Sequence, residues 1–231
     1  LLAKDIKNRL KSLRREASTV DPNLARRLDE INRWVKDLKP GSLTAKKFLI
    51  LFLEQVIRDA EAWLRLKSLP THEEQQAAFN ALKPSLKFWY SYLFPKWLSE
   101  NDSKFYIWRQ KLMSGEFSGE DTELIASVVN NIQRRGGTVV KRYIADLSMA
   151  TDIIVSSRYD KSLCVQLTSL SEEFFQDKSN NWESTLRFWK IDKGLLLSYN
   201  PGVTDFVDRI VNVTLYNSDN LEIGIYLTFS F

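Results

Sequence analysis

The chain predicts a mixed α+β or α/β protein in two parts, an all-helical module over residues 1–118 and a mixed-sheet domain over residues 119–231. Three observations predict this. Apolar residues recur every three or four positions through the first half, the period of a helix with one buried face. Beyond Gly119 the pattern changes to short apolar or β-branched runs, such as Thr138-Val139-Val140 and Leu163–Thr168, separated by helical stretches. The charge divides at the same place. Residues 1–118 hold 22 Lys and Arg against 14 Asp and Glu, net +8, whereas residues 119–231 hold 11 against 15, net −4. A basic half joined to an acidic half suggests two modules with different partners.

In the first half, Ile6, Leu10, Leu13 and Ala17 mark one apolar stripe on a Lys/Arg-rich segment. Asp21-Pro22 supplies a cap and a first-turn proline for the next helix. Leu24, Leu28, Ile31, Val35 and Leu38 follow at alternating spacings of four and three, a heptad seam ended by Pro40-Gly41. So narrow a seam needs a partner helix. The short connection through Ser18–Pro22 predicts an antiparallel αα-hairpin with the first helix. Thr44 to Lys67 is a long apolar helix, wide enough in its apolar face to be buried on more than one side. Thr71 and Glu74 form a capping-box pattern, with His72 as a first-turn residue without a chemical role. Another helical stretch runs to about Trp97, interrupted near Pro84 and Pro95. Ser103 to Met113 is a short helix and Ser114 to Gly119 a linker.

In the second half, Asp121 to Arg135 is helical, with Leu124, Ile125, Val128, Val129 and Ile132 on one face and Gly136-Gly137 at its end. Thr138-Val139-Val140 begins a strand. Asp152–Ser156 and Leu163–Thr168 are two more, joined as a hairpin through Arg158-Tyr159-Asp160-Lys161. Glu172 to Trp189 is an amphipathic helix whose Trp182 and Trp189, seven apart, pack on the sheet. Gly194–Tyr199 is a buried strand, Pro201-Gly202 a turn and Asp205–Val211 a short helix. A terminal hairpin runs through Leu215 and Ile223 to Phe229.

Composition excludes several classes of chemistry. One cysteine, Cys164, and one histidine cannot make a disulfide or the usual His/Cys zinc site, so any metal must be held by oxygen ligands, as Mg²⁺ is. The lone thiol fits a reducing, cytoplasmic setting. Leu1-Leu2-Ala3 gives way at once to Lys4 and Asp5, so no signal-peptide core is expected. The apolar run Phe48–Leu53 is too short to span a bilayer, and no membrane insertion is expected.

The order helix, strand, strand hairpin, helix, strand over residues 120–200 resembles the PD-(D/E)XK restriction-endonuclease-like superfamily. Its signature is an acidic residue on the first helix, an Asp opening the second strand and an acidic-x-Lys triplet on the third. Glu123 and Asp152 stand at the first two places, and the triplet reads Gln166-Leu167-Thr168. The resemblance implies a Mg²⁺ site at Asp152 and Glu123, because phosphodiester cleavage needs carboxylates to hold the ion that polarises phosphate and activates water. It implies Gln166 as a weak third ligand. Thr168 cannot replace the lysine that stabilises transition-state charge, so catalysis would need a relocated one, Lys178 on the following helix or Lys141 on the first strand.

Two further features bear on binding. Lys4, Lys7, Arg9, Lys11, Arg14, Arg15, Arg26, Arg27 and Arg33 make the densest basic face, with Arg14, Arg15, Arg26 and Arg27 the candidate phosphate contacts. Asp5, Glu16, Asp21, Asp29, Glu30 and Asp37 interleave with it. The cluster Phe88, Trp89, Tyr90, Tyr92, Phe94 and Trp97 is expected to be core or the seam between two modules, with base stacking or a place at a membrane interface as its functional alternatives. The expected function is therefore that of a catalytically degenerate nuclease fold, without a cofactor, that binds DNA or RNA, a protein, or the rest of a longer chain. The alternative is an active Mg²⁺-dependent DNA nuclease with a relocated lysine.

Overall fold

The computed structural model describes residues 3–36, 38, 43, 46–114, 122–159, 161–169, 172–200 and 205–231. Expected features at Pro40-Gly41, Thr44, residues 115–119, Asp160 and Pro201-Gly202 lie outside the described residues. The chain divides into two compact units, one of Leu1–Leu82 with Phe94–Gly119 and the other of Lys83–Leu93 with Glu120–Phe231. The change at residue 119 coincides with the change in sequence pattern, and residues 83–93 go with the sheet rather than with the helices around them.

In the helical unit, α1 (Ala3–Val20) and α2 (Pro22–Lys36) form the expected hairpin. Ile6, Leu10, Leu13 and Ala17 of α1 and Leu24, Leu28, Ile31 and Val35 of α2 are buried. The helices run antiparallel, since Arg14 pairs with Asp29 at 3.0 Å and the Lys7 ammonium donates to the Lys36 carbonyl at 2.9 Å. Asp21 caps α2 by accepting from the Asn23 N–H at 2.9 Å, and its other oxygen accepts from the Trp63 indole at 2.7 Å. α3 (Lys47–Lys67) packs on α1 and buries residues from Leu49 to Leu64. α4 (His72–Asn80) begins with the complete Thr71–Glu74 capping box, and His72 is its first residue.

Pro84 opens α5 (Pro84–Phe88), which continues as a single π turn (Trp89–Leu93) and then α6 (Phe94–Ser99). A break at Pro95 was expected, yet helix continues through it. Proline cannot donate to the carbonyl four residues back and would clash with it, and the wider π turn just upstream accommodates the mismatch. α7 (Phe105–Ser114) completes this part of the chain.

The second unit is a five-stranded sheet in sequence order, β1 (Thr138–Val140), β2 (Ile153–Ser156), β3 (Leu163–Thr168), β4 (Gly194–Ser198) and β5 (Tyr226–Ser230). β1, β2 and β3 pair antiparallel, and β3, β4 and β5 pair parallel. β2 and β3 are thus adjacent and antiparallel, as the hairpin pattern predicts. Side chains alternate between the two faces. Ile153, Val155, Val165 and Leu197 pack with α8 (Thr122–Arg134) and α11 (Phe206–Asn220). On the other face, α10 (Glu172–Phe188) lies so close that a Cβ on Gly194 would meet Leu186 at 2.2 Å and Trp182 at 2.8 Å. Both faces are covered, which is why β2, β3 and β4 are almost continuously apolar.

Two expectations fail here. A terminal hairpin through Leu215 does not form. Leu215 lies in α11, which runs to Asn220, and β5 joins the sheet parallel to β4 through that helix. The buried stripe of α11 is Ile210, Val211, Thr214, Asn217 and Ser218, helical in spacing but with three polar residues of the five, so its period is hidden. The second is α9 (Tyr143–Met149), a helix between β1 and β2 that the sequence did not suggest; its seven residues are too few to display a period. Among the described residues, no helix is long and apolar enough to cross a membrane.

Candidate functional site

Asp152, Gln166 and Thr168, three of the positions singled out by the signature, meet at one end of the β2–β3 hairpin, and Glu123 does not join them. Ala150 follows α9 in the left-handed region at φ 49° and turns the chain into β2. The Asp152 N–H then donates to the Val165 carbonyl at 2.9 Å, which fixes Asp152 opposite Gln166. Pairing of Ile153 with Val165 and Ile154 with Cys164 puts Asp152, Gln166 and Thr168 on the α10 face of the sheet.

Asp152 is only 6% exposed, and two neutral donors meet its carboxylate. One oxygen, Oδ2, accepts from the Leu167 N–H at 2.7 Å and from the Gln166 amide nitrogen at 2.9 Å. A carboxylate draws the NH₂ end of a neighbouring amide toward itself, so Gln166 meets Asp152 as a donor. An acidic residue in that place would repel Asp152 unless a cation lay between them. Thr168 is buried at 4% exposure beside Ser198 of β4, with its carbonyl accepting from the Tyr199 N–H at 2.9 Å.

The other named residues are placed less closely. Glu123 is exposed in the first turn of α8, where the helix dipole favours it. Lys178 is half-buried on α10, one turn before Trp182 on the stripe that continues through Thr185 and Leu186 toward the sheet. Lys141 directly follows β1 and stands over the Tyr143 ring at 6.0 Å. The β1–β2 register, Val140 with Ile154, carries it toward the Asp152 end of the sheet. Among the described residues, no three His, Cys, Asp or Glu side chains cluster as a metal site would require.

The basic face of the helical unit is more engaged than its composition suggests. Arg27 is 3% exposed, donates to the Trp97 carbonyl at 2.8 and 3.0 Å and to the Glu100 carbonyl, and stacks on the Trp97 ring at 5.0 Å. Its guanidinium is spent on the end of α6 and cannot reach a phosphate. Arg26 donates to the Leu98 carbonyl at 2.7 Å and Arg14 pairs with Asp29, while Arg15 is exposed. The aromatic cluster is largely core: Trp89, Tyr90, Phe94 and Trp97 are buried, and only Phe88 and Tyr92 are half-exposed.

Sequence reasoning missed the Leu167 N–H, a backbone donor that no residue type announces, and the pair Lys161 and Lys193. Those two lysines are 32 positions apart, and only the parallel pairing of β3 with β4 sets the starts of their strands side by side. No family model, no curated protein and no solved structure matches the chain.

Proposed function

We propose that the second unit is a restriction-endonuclease-like module that has lost cleavage and retains binding, with nucleic acid as the ligand class. What supports the family is the order α8, β1, β2–β3 hairpin, α10, β4, with three antiparallel strands followed by a parallel one. What carries the loss of cleavage is the hydrogen bond from Gln166 to Asp152. The amide and the Leu167 N–H both donate to Oδ2, so Mg²⁺ at that oxygen would have to displace them and be dehydrated by one buried carboxylate. Thr168 adds no charge to stabilise a pentavalent phosphate. In the helical unit of the same chain, the exposed cations of α1 and α2, Arg15 foremost, would add a sequence-independent attraction to phosphate of their own.

The test compares the wild-type chain with Gln166→Glu. Calorimetric titration with Mg²⁺ should give no resolvable heat for the wild type and measurable binding for Gln166→Glu, where two carboxylates share one position. Single- and double-stranded DNA and RNA should be bound and left intact in the presence of Mg²⁺ or Mn²⁺. Cleavage by the wild type that Asp152→Ala abolishes would overturn the loss of catalysis. Failure to bind any of these nucleic acids would move the function to a protein partner.

One observation favours the active alternative. Lys178 stands on the sheet-facing stripe of α10, in the part of the helix that follows from the Thr168 end of β3. In an active enzyme it would be the relocated lysine, and Lys178→Met would then abolish cleavage without altering nucleic-acid affinity.

A further inference from the structure

The segments leading into β3, β4 and β5 converge with α5 and the π turn on a pocket of about 660 Å³. It lies at the starts of the parallel strands, away from Asp152, and its volume suits a small organic ligand. One wall is aromatic. Phe88 and Tyr92 stack on each other at 5.3 Å and 21°, and the Tyr92 hydroxyl is fixed by donating to the Lys190 carbonyl. Facing them are two ammonium groups. Lys161 reaches the Asp219 carbonyl and Lys193 the Ser218 carbonyl, each at 3.5 Å, the outer limit of a hydrogen bond. Neither is in an ion pair among the described residues.

A structural role for the lysines is to face the carbonyl end of α11, where the helix dipole favours cations. That uses one long hydrogen bond from each ammonium, with Lys161 also standing over the Tyr159 ring at 5.9 Å, and leaves most of the three donors of each unspent. It also leaves the two positive charges against each other. Lys193 is held below its ordinary pKa, first by burial and then by the charge of Lys161. An anion between them would relieve both. Asp192 and Glu222, exposed at the rim, are acceptors that a simple anion would not need.

We propose that this pocket binds a nucleotide whose base carries an exocyclic amino group. Its phosphate bridges Lys161 and Lys193, its base lies against Phe88 and Tyr92, and Asp192 or Glu222 accepts from the amino group. Flat rings on aromatic side chains and phosphate on paired ammoniums are the two attractions that such a ligand combines. This site goes beyond the reading of the Asp152 end and does not depend on it.

The experiment is calorimetric titration of the whole chain with adenosine monophosphate, uridine monophosphate, adenosine and inorganic phosphate. Adenosine monophosphate should bind one to one, with adenosine and phosphate at least tenfold weaker and uridine monophosphate several-fold weaker. Lys161→Met, at an exposed position that leaves folding intact, should weaken adenosine monophosphate at least tenfold, and Lys193→Met should do the same with unchanged Tm. Absence of adenosine monophosphate binding at millimolar concentration overturns the site, as does binding that Lys161→Met leaves unaltered. Phosphate binding as tightly as the nucleotide would remove the base from the proposal, and uridine monophosphate binding equally well would remove the amino-group contact.

Discussion

The α1–α2 hairpin and the β2–β3 hairpin each bury one charged side chain, and the two are satisfied differently. Arg27 spends its guanidinium on backbone carbonyls at the end of α6, with Glu30 at 2.9 Å as a charged partner. Asp152 accepts from the Leu167 backbone N–H and from the Gln166 side-chain amide. Backbone partners cannot be exchanged without refolding the segment, whereas a side-chain partner changes with one substitution. Arg27 is therefore fixed as a structural residue. Asp152 sits in a position whose chemistry depends on what stands at residue 166.

The largest effect expected from this contrast is at Arg27. Arg27→Met fills part of the space but leaves the Trp97 and Glu100 carbonyls without their donor. At about 1–3 kcal/mol for each buried acceptor left unsatisfied, the loss is about 2–6 kcal/mol by denaturant unfolding. An unchanged midpoint would mean that water replaces the guanidinium and that Arg27 is available for other work.

Next comes the seam beside it. Leu28 is fully buried between α1 and α2, so Leu28→Ala should cost about 2–5 kcal/mol. Because the seam is filled within one chain, sedimentation should give the same mass before and after the substitution. Dissociation of an oligomer with unaltered stability would make the seam an assembly surface instead.

Asp152→Ala strands the Leu167 N–H and should cost about 1–3 kcal/mol. Gln166→Ala should cost less, because the Leu167 N–H still satisfies Asp152. Cys164, two residues before Gln166 in β3, offers a local reading. Burial pushes its thiol up to about 12, so in the folded chain it is protonated and unreactive where an unfolded thiol has ionised. Its alkylation should quicken in Asp152→Ala and hardly change in Gln166→Ala. The same shift makes the fold lose stability as pH rises above about 9 toward 12, since only the unfolded thiol ionises there. A midpoint that is flat across this window would remove Cys164 as a pH-linked group.

What was legible in the sequence follows the same division. The two stripes of the α1–α2 hairpin, the Thr71–Glu74 box and the β2–β3 pairing rest on local spacing, and the hairpin alone sets Asp152 against Gln166. Burial of Arg27 was harder to see. It flanks the seam between Leu24 and Leu28, and a flanking arginine is as compatible with solvent as with a neighbour. The second half of α11, beyond the short helix expected to end at Val211, escaped because Val213 and Thr214 are β-branched while Asn217 and Ser218 occupy buried positions of its stripe. Tertiary packing against β2 and β3 decides that segment, against its weak intrinsic preference for helix. The pocket of Lys161 and Lys193 was out of reach, because its walls come from the starts of three strands whose parallel order no local pattern specifies.

The smallest effect on stability is expected at Arg15, and it separates the two uses of arginine within one hairpin. Arg15 is exposed and is in no ion pair among the described residues, whereas Arg14 is paired with Asp29. Reversing both to Glu should shift stability by no more than ~1 kcal/mol, because exposed pairs contribute little in water. If nucleic acid is the ligand, the same change should weaken it uniformly across sequences and reduce the slope of log affinity against log salt by about one for each phosphate contact removed. Arg27→Met should do the opposite, lowering stability while leaving that slope unaltered wherever the protein remains folded. An Arg14/Arg15 reversal that left both affinity and salt slope unchanged would show that these helices do not touch phosphate. The attraction would then have to come from the cations of the second unit, with Lys161 and Lys193 the first to substitute.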